Sequence, residues 1–464
     1  LYNAYLGSQA SRGMAGYYVG NREMSGIVVG ISFFATFAST NTYIGHAGKA
    51  YDYGVAWFTM AILLVVFSWI SWRWIGAPLR RFAAQWDALT IPDFLGSRYI
   101  ASPNQQGRHA LLQTSALVIV FASLLYLLAI FKGAGHLFQM FLEVPYEAGV
   151  GLTLLIVVLY TSVGGFVSVV RTDVLQGTLM LLGSLVIFYF VTRAAGGVTS
   201  ITRLQTLPDK QFLFELNGGI PFAVLLGVSL SGSLKLLADP RQLSRFYALR
   251  DEAEVLRGKW IATIGLAIVL GCLFPVGIYA HLILTDVTDT DLIVPSLVSD
   301  ASVFPLWATD FLIVSILAAA MSSMDSVLLV AASTLYKNIV APFNPSSREL
   351  LWTRTAVIGF SIVAALLALN PLGDIVEITI FSGSLYAVCF FPAVVFGLYW
   401  QFGSARTVLW SMAVGISALI VWIAAGWRQE LHEVFPALLL STFTYYLLSK
   451  AEAPSETPAK TSNN

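Results

Sequence analysis

Ser322, Ser323, Asp325 and Ser326 put four oxygen-bearing side chains into the middle of an otherwise apolar run, FLIVSILAAAMSSMDSVLLVAASTLY at 311–336. A run of that length crosses a bilayer as a helix, because about 20 residues rising ~1.5 Å each span the hydrocarbon core. On such a helix Ala319, Ser322, Ser323 and Ser326 recur at i, i+3, i+4 and i+7 and share one face. Small and rich in hydroxyls, that face suits a bare cation. Serines in membrane helices also bond back to the carbonyl one turn earlier, and small residues also let helices approach one another. Asp325 tips the balance toward an ion site, since a carboxylate at mid-membrane costs about 2.5–3.5 kcal/mol and marks function.

The elements that must position this face follow from composition. Of 464 residues 57% are hydrophobic and 11% charged, which defines an all-α polytopic membrane protein. Apolar spans are read near 26–50, 54–75, 110–140, 147–164, 173–192, 220–237, 258–284, 305–336, 352–369, 374–400, 405–426 and 432–449. The first 25 residues read as the end of a leading helix whose beginning is missing, followed by a linker. Most of the 26 lysines and arginines fall in alternate connections, at 8–24, 72–109, 165–172, 239–259, 337–354 and 400–406 and after 449. The positive-inside rule makes those connections and the C-terminus cytoplasmic, in a plasma membrane. The opposite side includes an acidic segment, TDVTDTDLIVPSLVSD at 285–300.

Other functions are excluded on chemistry. Zero formal net charge gives no reason to expect nucleic acid as a partner, and Cys272 and Cys389 lie alone in apolar runs. No nucleophile–base pair argues for an enzyme, and no phosphate-binding glycine loop argues for a nucleotide or other organic cofactor. Energy for moving a solute must then come from an ion gradient.

Two spans look interrupted, the first at YIGHAGKAY (43–51), with Gly45 and Gly48 flanking His46, and the sixth at Ser231-Gly232-Ser233. Paired interruptions, each opening a group of five spans, point to an inverted-repeat transporter with its sites at the breaks. The expected organisation is a first repeat at 26–193, an extracellular connection at 194–219, a second repeat at 220–400, two trailing helices at 401–449 and a cytoplasmic tail at 450–464. Asp173 reads either as a helix-start carboxylate paired with Arg171 or as an ion ligand beside Ser322, Asp325 and Ser326. Lys49 and Lys132 are expected to snorkel outward. Lys235 either pairs with an acidic neighbour or reaches the interface, or it stands in a dry pocket ready for an anion.

Six segments together resemble the sodium:solute symporter family over essentially the whole chain: GYYVGNREMSG (16–26), SFFATFASTNTYIGHAGKAYDYG (32–54), TIPDFLGSRY (90–99), YTSVGGFVSVVRTDVLQ (160–176), ADPRQLSRFYALRD (238–251) and AAAMSSMDSVLLVAAS (318–333). The resemblance is nearer to the proline, pantothenate and monocarboxylate branch than to the sugar branch. It implies an inverted 5+5 helix repeat (LeuT-like) with a truncated leading helix and two trailing helices. By the same resemblance the main sodium site is made of backbone carbonyls of Ala35, Ala38 and Ala319 with the hydroxyls of Ser322 and Ser323. Some members have a second sodium site, implied here at Asp173, Ser322 and Ser326, and Asp325 stands where other members have a hydroxyl. The solute pocket is expected among Thr42, His46, Trp57, Ser233, Lys235, Leu236 and Ser384, with Lys235 and His46 favouring a carboxylate.

The function implied is sodium-coupled symport of a small, carboxylate-bearing solute by alternating access, with Na+ the co-transported ion and the bilayer as surroundings. The alternative is a transporter-like sensor that signals to a partner. The chain closes on SKAEAPSETPAKTSNN, so an output domain in this chain is not expected.

Overall fold

The computed structural model describes residues 13–99, 105–285, 287–346, 348–370, 373, 375–400 and 402–452. The expected start of the leading helix and most of the expected tail lie outside the described residues. Among the described residues the chain is helical, without a strand. In order the helices are α1 Met14–Val19, α2 Gly26–Phe37, α3 His46–Tyr53, α4 Phe58–Ile70, α5 Ala77–Gln85, α6 Ile91–Tyr99, α7 Gln105–Leu142, α8 Tyr146–Ala194 and α9 Phe222–Ala238. They continue as α10 Pro240–Ala248, α11 Glu252–Ala280, α12 Ile293–Ser299, α13 Leu306–Thr334, α14 Glu349–Ala368, α15 Ile375–Tyr399, α16 Ala405–Ala424 and α17 Val434–Glu452. Nine helical stretches among the described residues are long and apolar enough to cross a membrane. Leu117, Leu182, Ile264 and Leu366 point outward from them, as apolar side chains do where lipid is the solvent.

Both expected interruptions occur, but at other residues. The first span breaks at Ala38 and Ser39, with Ala38 at φ −74°, ψ 90°. A π-helical turn, Asn41–Gly45, then leads directly into α3. The cause is capping chemistry in Ser39-Thr40-Asn41-Thr42. Ser39 Oγ accepts from Asn41 N at 3.2 Å, and the Ser39 carbonyl accepts from Thr42 N at 2.9 Å. Gly45 and Gly48 serve close packing instead: a Cβ on Gly48 would lie 2.6 Å from the Thr290 carbonyl oxygen.

Helix α9 runs unbroken through Ser231-Gly232-Ser233, since Ser233 Oγ bonds back to the Ser229 carbonyl at 2.7 Å. Its chain breaks at Asp239, where Pro240 disfavours helix at the residue before it and opens α10. Asp239 caps α10 by accepting from Arg241 N at 2.9 Å.

The expected loop at 165–172 is absent as a loop. Helices on either side of it meet at a single kink, Gly165, whose φ of 62° and ψ of −169° only glycine adopts readily. Asp173 therefore sits about two turns into a helix, away from any N-terminal dipole.

On the side expected to be cytoplasmic, the segment before α2 pairs with the one after α10 through the main chain. Met24 N donates to the Ala248 carbonyl at 2.9 Å and Arg250 N to the Met24 carbonyl at 3.0 Å. Asp251 caps α11 by accepting from Glu254 N at 3.0 Å, which holds its carboxyl below the usual carboxylate range.

On the opposite side the acidic segment folds into a turn and α12. Lys132 does not snorkel: its Nζ donates to Asp291 Oδ2 at 2.9 Å and to the Gly373 carbonyl at 3.3 Å, tying α7 to that segment. Lys49 lies 3.7 Å from Asp52. With the Lys132 and Asp291 side chains only 12% and 4% exposed, removing one partner strands the other. Lys132→Met is expected to destabilise the protein by about 3–5 kcal/mol. Thermal unfolding in detergent should show this as a lowered Tm, largely recovered in Lys132→Met/Asp291→Leu.

Candidate functional site

Two buried polar clusters face each other across the break in the first span. The first gathers on α2, α8, α10 and α13. Asp173, fully buried, accepts from Ser322 Oγ at 2.5 Å through one carboxylate oxygen and from Ser32 Oγ at 2.5 Å through the other. Arg245 Nη2 stands 3.1 Å from the same Oδ2, and its guanidinium also donates to Ser326 Oγ at 2.6 Å, to Ser32 Oγ at 3.0 Å and to the hydroxyl of Thr36. The Arg241 carbonyl takes a further N–H at 2.7 Å. A buried carboxylate and a buried guanidinium are thus satisfied together, as burial of charge requires. Asp173 is paired with Arg245 and not with Arg171, which is exposed.

Ser323 and Ser322 use their hydroxyls to hold α13 against its neighbours. Ser323 Oγ donates to the Thr36 carbonyl at 2.9 Å, at the C-terminal end of α2. The last carbonyls of a helix have no donor further along it, and here the next turn is broken away, so the Thr36 carbonyl takes its donor from α13. Ala35, Ala38 and Ala319 are fully buried. Ser326 both contacts Thr36 Oγ1 at 3.0 Å and bonds back to the Ser322 carbonyl at 3.0 Å. Asp325 turns to another neighbour: Thr161 Oγ1 donates to its Oδ1 at 2.6 Å. The structure brings Asp173, Ser322 and Ser326 together and places Asp325 against α8 at Thr161.

The second cluster lies on α7, α9, α10 and α15. Lys235 donates to the Thr379 carbonyl, and its Nζ stands 5.2 Å from the centre of the Tyr126 ring. Room for its stem exists because position 383 is glycine: a Cβ there would lie 2.5 Å from Lys235 Cε. Arg241 stacks on the same Tyr126 ring at 3.8 Å and is paired with Asp239, its Nε 2.9 Å from Oδ2. Ser384 meets Ser231, Oγ to Oγ, at 2.8 Å. Ser233 is turned to its own helix, its Oγ on the Ser229 carbonyl, and the Leu236 carbonyl accepts from Ser71 Oγ at 2.5 Å. Tyr126 OH donates to Ser39 Oγ at 3.1 Å, so this cluster touches the break.

His46, Trp57 and Asn41 form a third, smaller group. Trp57 Nε1 donates to His46 Nδ1 at 3.3 Å, and the Asn41 amide lies 3.4 Å from Nε2. With Nδ1 accepting, the imidazole in this arrangement is neutral and its ring hydrogen sits on Nε2. Thr42 is buried in the π-helical turn. Above Trp57 a cavity of about 220 Å³ opens between Lys49, Tyr53, Ile380, Arg428 and His432. The larger hollows, such as that between Leu230 and Phe435, are almost wholly apolar grooves.

Sequence reasoning missed Ser32, Thr36, Tyr126, Asp239, Arg241 and Arg245 as site residues. Signals existed for three of them. Asp239-Pro240 is a cap-and-start pair, and Arg241 and Arg245 are four apart on one helix face.

Broken helices around buried ionic and hydroxyl groups, within a multi-pass bundle, define a membrane transporter rather than an enzyme. The chain belongs to the sodium:solute symporter family, whose model matches residues 17–415. It is 30% identical over 447 residues to the sodium/pantothenate symporter of Escherichia coli, covering 92% of this chain and 89% of that one. It is 28% identical to the osmoregulated proline transporter OpuE of Bacillus subtilis, covering 96% and 90%. The fold matches a Na+-coupled sialic acid symporter in a substrate-bound outward-open state with a TM-score of 0.81 at 19% identity, covering 98% and 96%. A nucleobase-cation-symport-1 family transporter in a closed conformation superposes at 0.57 with 13% identity, covering 94% and 95%. The activity is sodium-coupled transport of a small organic solute, on the side of the family that holds the pantothenate and proline transporters.

The Ser323 hydroxyl links α13 to the Thr36 carbonyl near the end of α2. Ser323→Ala is expected to raise the sodium concentration for half-maximal uptake about tenfold, the effect of losing roughly 1.4 kcal/mol. Uptake measured against sodium concentration reads it directly.

Proposed function

We propose that the solute carries a carboxylate, that Lys235 receives it, and that sodium binds at the end of α2. The observation that carries this reading is the environment of Lys235. Its side chain is buried, with the Thr379 carbonyl and the Tyr126 ring as its contacts, while nearby Asp239 is ion-paired with Arg241. A buried ammonium is costly where the nearby carboxylate is already paired with another cation, and an anion arriving beside it recovers part of that cost. Pantothenate and proline, named for two relatives, both bear a carboxylate. Ser384 and Ser231 supply hydroxyls to the polar part of the solute, and Thr42, His46 and Trp57 line its outward side as neutral contacts.

The coupling ion takes the carbonyl oxygens of Ala35, Ala38 and Ala319 and the hydroxyls of Ser322 and Ser323. Binding there replaces the Ser323–Thr36 hydrogen bond by a shared cation and holds α13 to the broken end of α2. A cation shifts the balance between outward and inward states only by its difference in affinity for the two. A potential of 100 mV adds about 2.3 kcal/mol for each charge carried inward. The membrane is the plasma membrane, with the C-terminus in the cytoplasm, as the lysine and arginine bias requires.

Proteoliposome uptake with and without an inward sodium gradient, over labelled pantothenate, proline, a short monocarboxylate, sialic acid and galactose, tests the reading. Sodium-driven accumulation of a carboxylate is expected, with Lys235→Met weakening it about a hundredfold in KM. Accumulation of galactose alone, or a Lys235→Met variant with unchanged KM, would sink it.

A further inference from the structure

We propose that Arg245 is a built-in counter-cation that excludes free cations from Asp173, so that this chain binds one sodium ion rather than two. Asp173 with Ser32, Thr36, Ser322 and Ser326 forms a buried set of carboxylate and hydroxyl oxygens of the kind a hard monovalent cation takes. A positive charge is already there. The Arg245 guanidinium contacts Asp173, Ser32, Thr36 and Ser326 at once, so four of the five groups in the set point at it. The fifth, Ser322, holds the other carboxylate oxygen at 2.5 Å.

A second cation on the same carboxylate would stand roughly 4 Å from the guanidinium. Repulsion at that distance, in surroundings with an effective dielectric constant near 20, weakens binding about a thousandfold. Sodium enters the set only if Arg245 leaves it. Arg245 rides on α10, a helix of nine residues between the break at Asp239 and the main-chain pairing at Met24. Withdrawal of the guanidinium and displacement of α10 from the bundle are therefore one event. Arginine stays protonated at all working pH values, so this internal cation does not titrate away.

The inference rests on sodium binding at the end of α2 and is separable from it by counting ions. Equilibrium binding of labelled sodium to the purified chain, without solute, is expected to give one ion per chain for the wild type. Arg245→Gln is expected to give two, Arg245→Lys one, and Arg245→Gln/Asp173→Asn one. Two ions on the wild type, falling to one in Asp173→Asn, would overturn the proposal, as would one ion on a folded Arg245→Gln chain. Should Arg245→Gln not fold, the wild type and Arg245→Lys still decide by the same count. No ion on the wild type would overturn the α2 site and this proposal together, and a Ser323→Ala chain that binds its single ion as tightly as the wild type would overturn the α2 site alone.

Discussion

Everything at the centre of this protein depends on one electrostatic demand: an ionised group buried at membrane depth must find its complement inside the protein. Asp173 meets it by drawing three other helices toward α8. Hydroxyls from α2 and α13 reach its two oxygens, and α10 brings a guanidinium to one of them. None of those helices carries enough polarity to satisfy the carboxylate alone. Their mutual arrangement is therefore fixed by the charge as much as by apolar packing, which in lipid offers little preference between protein and solvent.

The break in the first span is where the ionic and solute-facing regions meet. On one side of it Thr36 is held by Ser323 through its carbonyl and by Arg245 through its hydroxyl. On the other, Ser39 is held by Tyr126, whose ring carries Lys235 and Arg241. Only Phe37 and Ala38 lie between these anchor points. A change of charge on either side is thus transmitted over a very short path, without any long-range rearrangement to explain it.

Much of the architecture was legible in the sequence, because membrane helices announce themselves by length and hydropathy and connections by their lysines and arginines. Where reading failed, it failed through the wrong agent of chain breaking. Glycine reads as the breaker at 43–51 and at 231–233, whereas Ser39 and Asp239-Pro240 break the chain through capping and a missing donor. The glycines mark places where backbones touch, as Gly48 does at Thr290. Ser322, Ser323 and Ser326 were readable from helical spacing, since periodicity within one helix is local information. Arg245 beside Asp173, 72 positions apart in sequence, was not, because no local pattern encodes which helices become neighbours. Lys132 misled for the same reason: its partner lies on a segment 159 positions away.

The pairing of Met24 with Ala248 and Arg250 has a different character from the side-chain contacts around Asp173 and Lys235. It is made of peptide groups alone. Side chains can be exchanged freely around it without altering its donors or acceptors, except by proline, which removes the N–H. A closure written in main chain is insulated from the sequence drift that retunes a binding pocket. A family with this arrangement can therefore change what it carries while keeping the same main-chain closure.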